Sequence, residues 1–173
     1  SSAHNATTLT EGVSGVAWTS VTNCRLTDAA VGTVTLTPGK TARALTYTNF
    51  KAAVPDNGWI TGVQFNVTAA KSSLGNVVNI TAQLTVGGGL VGLAHVTPIT
   101  ATTLKDHKIG GDPDLWSVST LSVSDVENAA FGVQLDITNS AGSAGSDTPS
   151  VDGLILTVYW SRRRGLSALG VGM

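Results

Sequence analysis

Charge is scarce in this chain. Of 173 residues, 10 are Lys or Arg and 11 are Asp or Glu, 12% together, about half the usual share. The formal net charge of -1 leaves no bulk attraction to nucleic acid or to an anionic membrane. Cysteine is reduced to Cys24 alone, so no internal disulfide can form and no oxidising compartment is implied. No apolar run approaches the ~18 residues that a membrane-spanning helix needs. No repeat of 20–50 residues is visible, which argues against solenoids and propellers. The start, Ser1-Ser2-Ala3-His4-Asn5, has no basic stretch before an apolar core, so a signal peptide is not expected. It has the look of a chain whose initiator Met was removed before a small residue.

What replaces charge is Thr, Ser, Asn, Gly and Val. Thr and Val are β-branched and suit pleated strands, and 20 glycines suit many tight turns. Mean hydropathy is +0.20, high for a monomer with so few charges. Either partners cover part of the surface, or that surface is built from Thr and Ser.

Alternation with a period of two recurs along the chain. Val31–Leu36 is a short candidate strand, and Arg43–Phe50 a second. Pro55-Asp56-Asn57-Gly58 reads as a turn. In Trp59–Ala69, Thr61, Val63, Phe65 and Val67 share one face. In Asn76–Val86, Val78, Ile80, Ala82, Leu84 and Val86 do so, and Gly87-Gly88-Gly89 predicts a hairpin into Leu90–Val96. Phe131, Val133, Leu135 and Ile137 alternate again. A Ser/Gly/Ala loop over 139–150 precedes a last strand, Val151–Trp160, apolar on both faces and so suited to a central position. Ser124–Ala130 could hold one helical turn capped by Ser124 or Asp125. About eight antiparallel strands with little helix predict an all-β sandwich of jelly-roll type. The core domain is expected over 16–160, with an N-terminal arm over 1–15 and a C-terminal arm over 161–173.

The usual signatures of catalysis are missing. His4, His95 and His107 show no zinc spacing, and His107 falls in a polar stretch, Leu104–Gly111, read as a loop. Gly142-Ser143-Ala144-Gly145 lacks the strand-to-helix context of a nucleophile elbow. Cys24 beside Arg25 has no evident base and reads as a packed thiol. Asp112 and Asp114 form a loop pair, and Asp125 and Glu127 flank the possible turn; neither pair sits on a strand beside exposed aromatic residues. Calcium at Asp112 and Asp114 has no supporting spacing. No enzyme, metal or cofactor is expected. Trp59 and Trp160 lie in strong strand patterns and are expected in the core. Trp18 and Trp116 stay open between a core plug and a sugar-stacking role, and strong glycan binding is not expected.

After Trp160 the pattern stops. Arg162, Arg163 and Arg164 are followed by a small-residue apolar tail holding Leu166, Leu169, Val171 and Met173. These seven residues are the candidate partner-binding set: the apolar ones need cover, and the arginines can pair with acidic groups on a partner.

Three blocks, in order, resemble a known group of proteins. The first runs from Ala17-Trp18 to Leu26-Thr27-Asp28. The second is Leu45-Thr46-Tyr47-Thr48-Asn49-Phe50, then Val54-Pro55-Asp56-Asn57-Gly58 and Ile60-Thr61-Gly62-Val63. The third is Phe131-Gly132-Val133-Gln134-Leu135 with Val151-Asp152-Gly153-Leu154 and Val158-Tyr159-Trp160. Together, over 17–160, they resemble β-sandwich structural proteins of tailed-bacteriophage virions, whose members include capsid decoration, neck or tail, and fibre-associated proteins. The resemblance brings no catalytic residues with it, and the tail beyond Trp160 lies outside its pattern. It implies a virion location and a binding role. The first expectation is a capsid decoration (cement) protein, trimeric, bound to the major capsid protein or another virion protein. The alternatives are a neck or tail structural protein and a carbohydrate-binding adhesin domain.

Overall fold

The computed structural model describes residues 1–162. These form an antiparallel β-sandwich of two five-stranded sheets. The strands are β1 (Ser2–Asn5), β2 (Thr8–Glu11), β3 (Gly32–Thr33), β4 (Leu45–Thr48), β5 (Gly58–Ala70), β6 (Val78–Val86), β7 (Gly89–Ile99), β8 (Lys105–Gly111), β9 (Gly132–Asn139) and β10 (Ser150–Arg162). One sheet has the order β1-β10-β5-β8, with β3 also paired to β10; the other has the order β2-β4-β9-β6-β7. The connections β4–β5, β5–β6, β7–β8 and β9–β10 all cross between sheets, which is the jelly-roll pattern of interleaved Greek keys. Eight strands carry that topology, and β2 and β3 are short additions.

The core lies between the sheets. Val63, Phe65 and Val67 of β5, Ile80 and Leu84 of β6, Leu135 and Ile137 of β9, and Leu154, Leu156 and Val158 of β10 are all buried, as their alternation predicts. β10 is central, paired on both sides.

Four elements differ from the sequence expectation. Residues 1–15 are not an arm outside the core. β1 pairs with β10 and β2 with β4, and Ala6 between them is buried. Both strands are four residues long, too short for periodicity to reveal, and their partners are distant in sequence. The polar stretch Leu104–Gly111 contains β8, an edge strand: Lys105, Asp106 and Lys108 face water while His107 and Ile109 face inward. The helical turn is α1 (Val123–Glu127), capped by Ser122 rather than by Ser124 or Asp125. Asp125 completes the capping box by accepting from the Ser122 backbone N–H.

The fourth difference is Trp59, which is 49% exposed. Its parity matches Val63 and Phe65, which point inward. But β10 pairs Tyr159 with Gly62 and Trp160 with Ile60, so Thr61 is an extra residue. This bulge reverses the side-chain phase: Ile60 enters the core and Trp59 turns out. Gly62 belongs to the same device, since a Cβ there would collide with the Gly111 carbonyl oxygen.

Candidate functional site

Of the seven expected partner-binding residues, Arg162 is described. It ends β10, opposite Gly58 at the start of β5. Arg163, Arg164, Leu166, Leu169, Val171 and Met173 lie outside the described residues.

The candidate chemical groups are placed in structural roles. Cys24 is buried, and burial pushes its thiol up to about 12, which keeps it protonated and unreactive at neutral pH. His107 is buried, and desolvation lowers its pKa below the usual histidine value. His95 lies 3.4 Å from Asp114 and packs edge-on against Trp116 at 4.4 Å between ring centroids. Asp114 also accepts from the Trp116 backbone N–H at 2.7 Å. His4 sits on β1, remote in sequence and pairing from the other two. Among the described residues no group of three or more His, Cys, Asp or Glu side chains could hold a metal ion.

The tryptophans left open by the sequence are both core plugs. Trp18 donates its indole N–H to Arg43 O at 2.8 Å. Trp116 donates to Val63 O at 2.9 Å and meets Phe65 edge-on at 5.5 Å. Its loop, 112–118, closes the side of the sandwich between β7 and β8. There Leu93 N–H donates to Trp116 O at 2.9 Å, so the open edge of β7 is capped at its middle. Gly92, with φ of 66°, is required at that contact, because a Cβ would strike Trp116 O.

Two surface features remain. On the outer face of the β2-β4-β9-β6-β7 sheet, Thr10, Thr46, Gln134 and Gln83 lie in register across four strands, with Asp136 beside Gln134 on the same face of β9. This face runs into β7, whose 11 residues contain no Asp, Glu, Lys or Arg. Leu90, Leu93 and Val96 there are 49%, 66% and 62% exposed. Leu90 and Val96 pair with Thr85 and Thr81 and so share the outer face. A register shift leaves Gly92, Leu93 and Ala94 opposite Gln83 alone, and this bulge pushes Leu93 outward. Edge strands usually carry charge to deter association; this one does not. The second feature is an open groove of about 590 Å³ between the 55–58 turn, Trp59 and residues 120–125.

No protein-family model matches the chain, and none of the curated proteins does. Solved structures similar to it in shape include the enzymatically active domain of tailspike protein 4 of bacteriophage CBA120, at 13% identity and a TM-score of 0.47, with 88% of this chain covered. The match takes in 19% of the tailspike chain, so this chain spans about a fifth of its length. TmCBM61, solved in complex with β-1,4-galactotriose, is similar at 9% identity and a TM-score of 0.44, with 88% of each chain covered. A chain of infectious bursal disease virus, Gx strain, is similar at 18% identity and a TM-score of 0.31, covering 79% of this chain and 32% of that one. Likenesses this distant carry no functional argument, and function rests on the chain's own residues.

Sequence reasoning missed both surface features. A signal for the first was available, since residues 89–99 carry no charge and follow the glycine hairpin into what had to be an edge or a partner. Nothing local signalled the second, because the Trp59 flip needs knowledge of the β5–β10 register.

Proposed function

We propose that this chain is a structural protein of a tailed-phage virion that acts by binding other proteins rather than by catalysis, and that its role is capsid decoration. The observation that carries the binding role is β7: an 11-residue edge strand without charge, with three large apolar side chains exposed. Burying each against a partner would contribute roughly 1.5–3 kcal/mol before ordering costs. A stable contact needs about 1,200–2,000 Å² of total buried surface, so the Thr/Gln face beside β7 would join it. The C-terminal arm adds a second contact: Leu166, Leu169, Val171 and Met173 supply apolar surface, and Arg162, Arg163 and Arg164 orient it against acidic groups. The virion location rests on the sequence resemblance. A shell stressed by packed DNA gains from added interface at capsomer junctions, which suits a trimer of such sandwiches.

Immunogold labelling of purified virions with antibody to this chain tests the location. Label over the head supports decoration, and label at the neck or tail supports the alternative structural role. A virion-binding assay with Leu93→Lys/Val96→Lys tests the surface. Attachment is expected to weaken tenfold or more through loss of buried apolar contact. A protein that stays monomeric and never associates with particles overturns the reading.

A further inference from the structure

The outer face that ends in β7 and the segment that follows β10 carry matching chemistry in matching order. Asp136, Thr81 and Val96 form one row across β9, β6 and β7. The acidic group and the apolar strip are therefore two strand spacings apart, about 10 Å. Asp136 accepts from the Gln134 amide at 3.3 Å, and a groove of about 340 Å³ opens beside it, between the 12–15 loop, Ala44 and Gln134. Leu90, Leu93 and Val96 project from β7. In the segment, Arg163 and Arg164 come first, and the apolar Leu166, Leu169, Val171 and Met173 follow, with no charge among residues 165–173. Basic then apolar along the segment fits acidic then apolar across the sheet.

Two observations select the mode of contact. Addition of a strand to the β7 edge is obstructed, because Trp116 O already takes the Leu93 N–H at 2.9 Å; the face of the sheet stays open. The same face of the segment's own sandwich is out of reach. β10 ends at Arg162 opposite Gly58, where the 49–57 connection arrives from Thr48, and Thr48 pairs with Gly132 at the start of β9. Asp136 lies in the other sheet, about 10 Å across, and four residues along β9, about 13 Å further down. The straight line between them is thus about 16 Å and runs through the core. Residues 163 and 164 span at most about 7 Å, and an arginine side chain adds a similar length. These arginines reach the Asp136 of a neighbouring copy and not their own.

We propose that residues 163–173 of one copy dock on the outer face of the β2-β4-β9-β6-β7 sheet of a second copy, with Arg163 and Arg164 at Asp136 and the apolar side chains that follow along β7. The contact is head-to-tail: each copy gives its segment to one neighbour and takes the segment of another. Such contacts close into a ring when the rotation between copies closes, as the proposed trimer requires. The inference rests on the reading of β7 and of this segment as binding surfaces, and it joins the two in one contact between copies.

Full-length protein carrying Val96→Cys and Leu169→Cys tests the contact. Cys24 is buried and does not compete. Mild oxidation and non-reducing gels are expected to show covalent dimers and larger species, with Val96→Cys alone as the control. In sedimentation equilibrium, Asp136→Arg should weaken self-association tenfold or more, with Tm within a few degrees of the parent because Asp136 is partly exposed. Adding Arg163→Asp and Arg164→Asp to Asp136→Arg should restore most of the association. If the double-cysteine chain fails to fold, the charge reversal decides alone. A monomeric full-length protein, cross-links within one copy only, or a charge reversal that has no effect or is not rescued overturns the proposal. If the protein is monomeric while Leu93→Lys/Val96→Lys still weakens particle attachment, β7 serves another virion protein; the proposal then fails and the binding reading stands.

Discussion

Replacing Trp116 by Ala should destabilise the sandwich more than any surface change. The indole is fully buried, packs edge-on against Phe65 and His95, and donates to Val63 O. Removing a buried Trp ring costs about 3–5 kcal/mol, including the cavity left behind. The Val63 carbonyl also loses its indole donor, worth about 1–3 kcal/mol where water cannot replace it; the two costs overlap, so about 4 kcal/mol is the working figure. At roughly 2–4 °C per kcal/mol for a domain of this size, Tm should fall by about 8–16 °C. Trp116→Phe keeps most of the ring and loses the donor, so it should cost clearly less, on the order of 1–2 kcal/mol. Urea unfolding with linear extrapolation, alongside calorimetry, measures both. Hydrogen exchange adds a local reading: Leu93 N–H, which donates to Trp116 O, should exchange faster in Trp116→Ala than the N–H groups of β10. A loss below about 1 kcal/mol, or equal losses for Ala and Phe, would refute the idea that this plug closes the sandwich.

Further outcomes follow from other buried groups. Asp147 is buried and accepts from Ser72 N and Oγ, Ser73 N and Asn76 Nδ2, tying the β5–β6 loop to the β9–β10 loop. Asp147→Ala leaves those donors unmet and should cost about 2–4 kcal/mol by urea melts. His107 has a pKa held below its ordinary 6.5 by burial. Its contribution to stability should therefore be complete above pH 6.5 and decline as pH falls through and below that value, because the unfolded chain takes up the proton first. His107→Gln should remove that part of the acid-side decline. Asp106, held below its ordinary 3.8 by hydrogen bonds from Thr68 and Asn66, acts in a separate window. Its contribution is present above 3.8 and is lost only as pH falls further toward its folded value. Deleting residues 163–173 should leave Tm within a few degrees and weaken particle attachment tenfold or more; failure to fold would assign that segment to the core.

Sequence alone determined the fold class and the central strands. Val63-Phe65-Val67, Val78-Ile80-Ala82, Val133-Leu135-Ile137 and Leu154-Leu156-Val158 alternate with period two, and a strand with one buried face leaves that trace wherever it pairs. It also made the poverty of charge legible. Only the tertiary structure decided the rest, because each remaining feature depends on a partner far away in the chain. β1 and β2 are strands because β10 and β4 supply their hydrogen bonds. β8 reads as a polar loop because half of an edge strand faces water. Trp116 and Trp18 are plugs because distant carbonyls, Val63 O and Arg43 O, accept their indole protons. Trp59 faces out because one extra residue, Thr61, shifts β5 against β10. A bulge changes the direction of a side chain without changing the alternation of the residues around it, so it is invisible until the register is known.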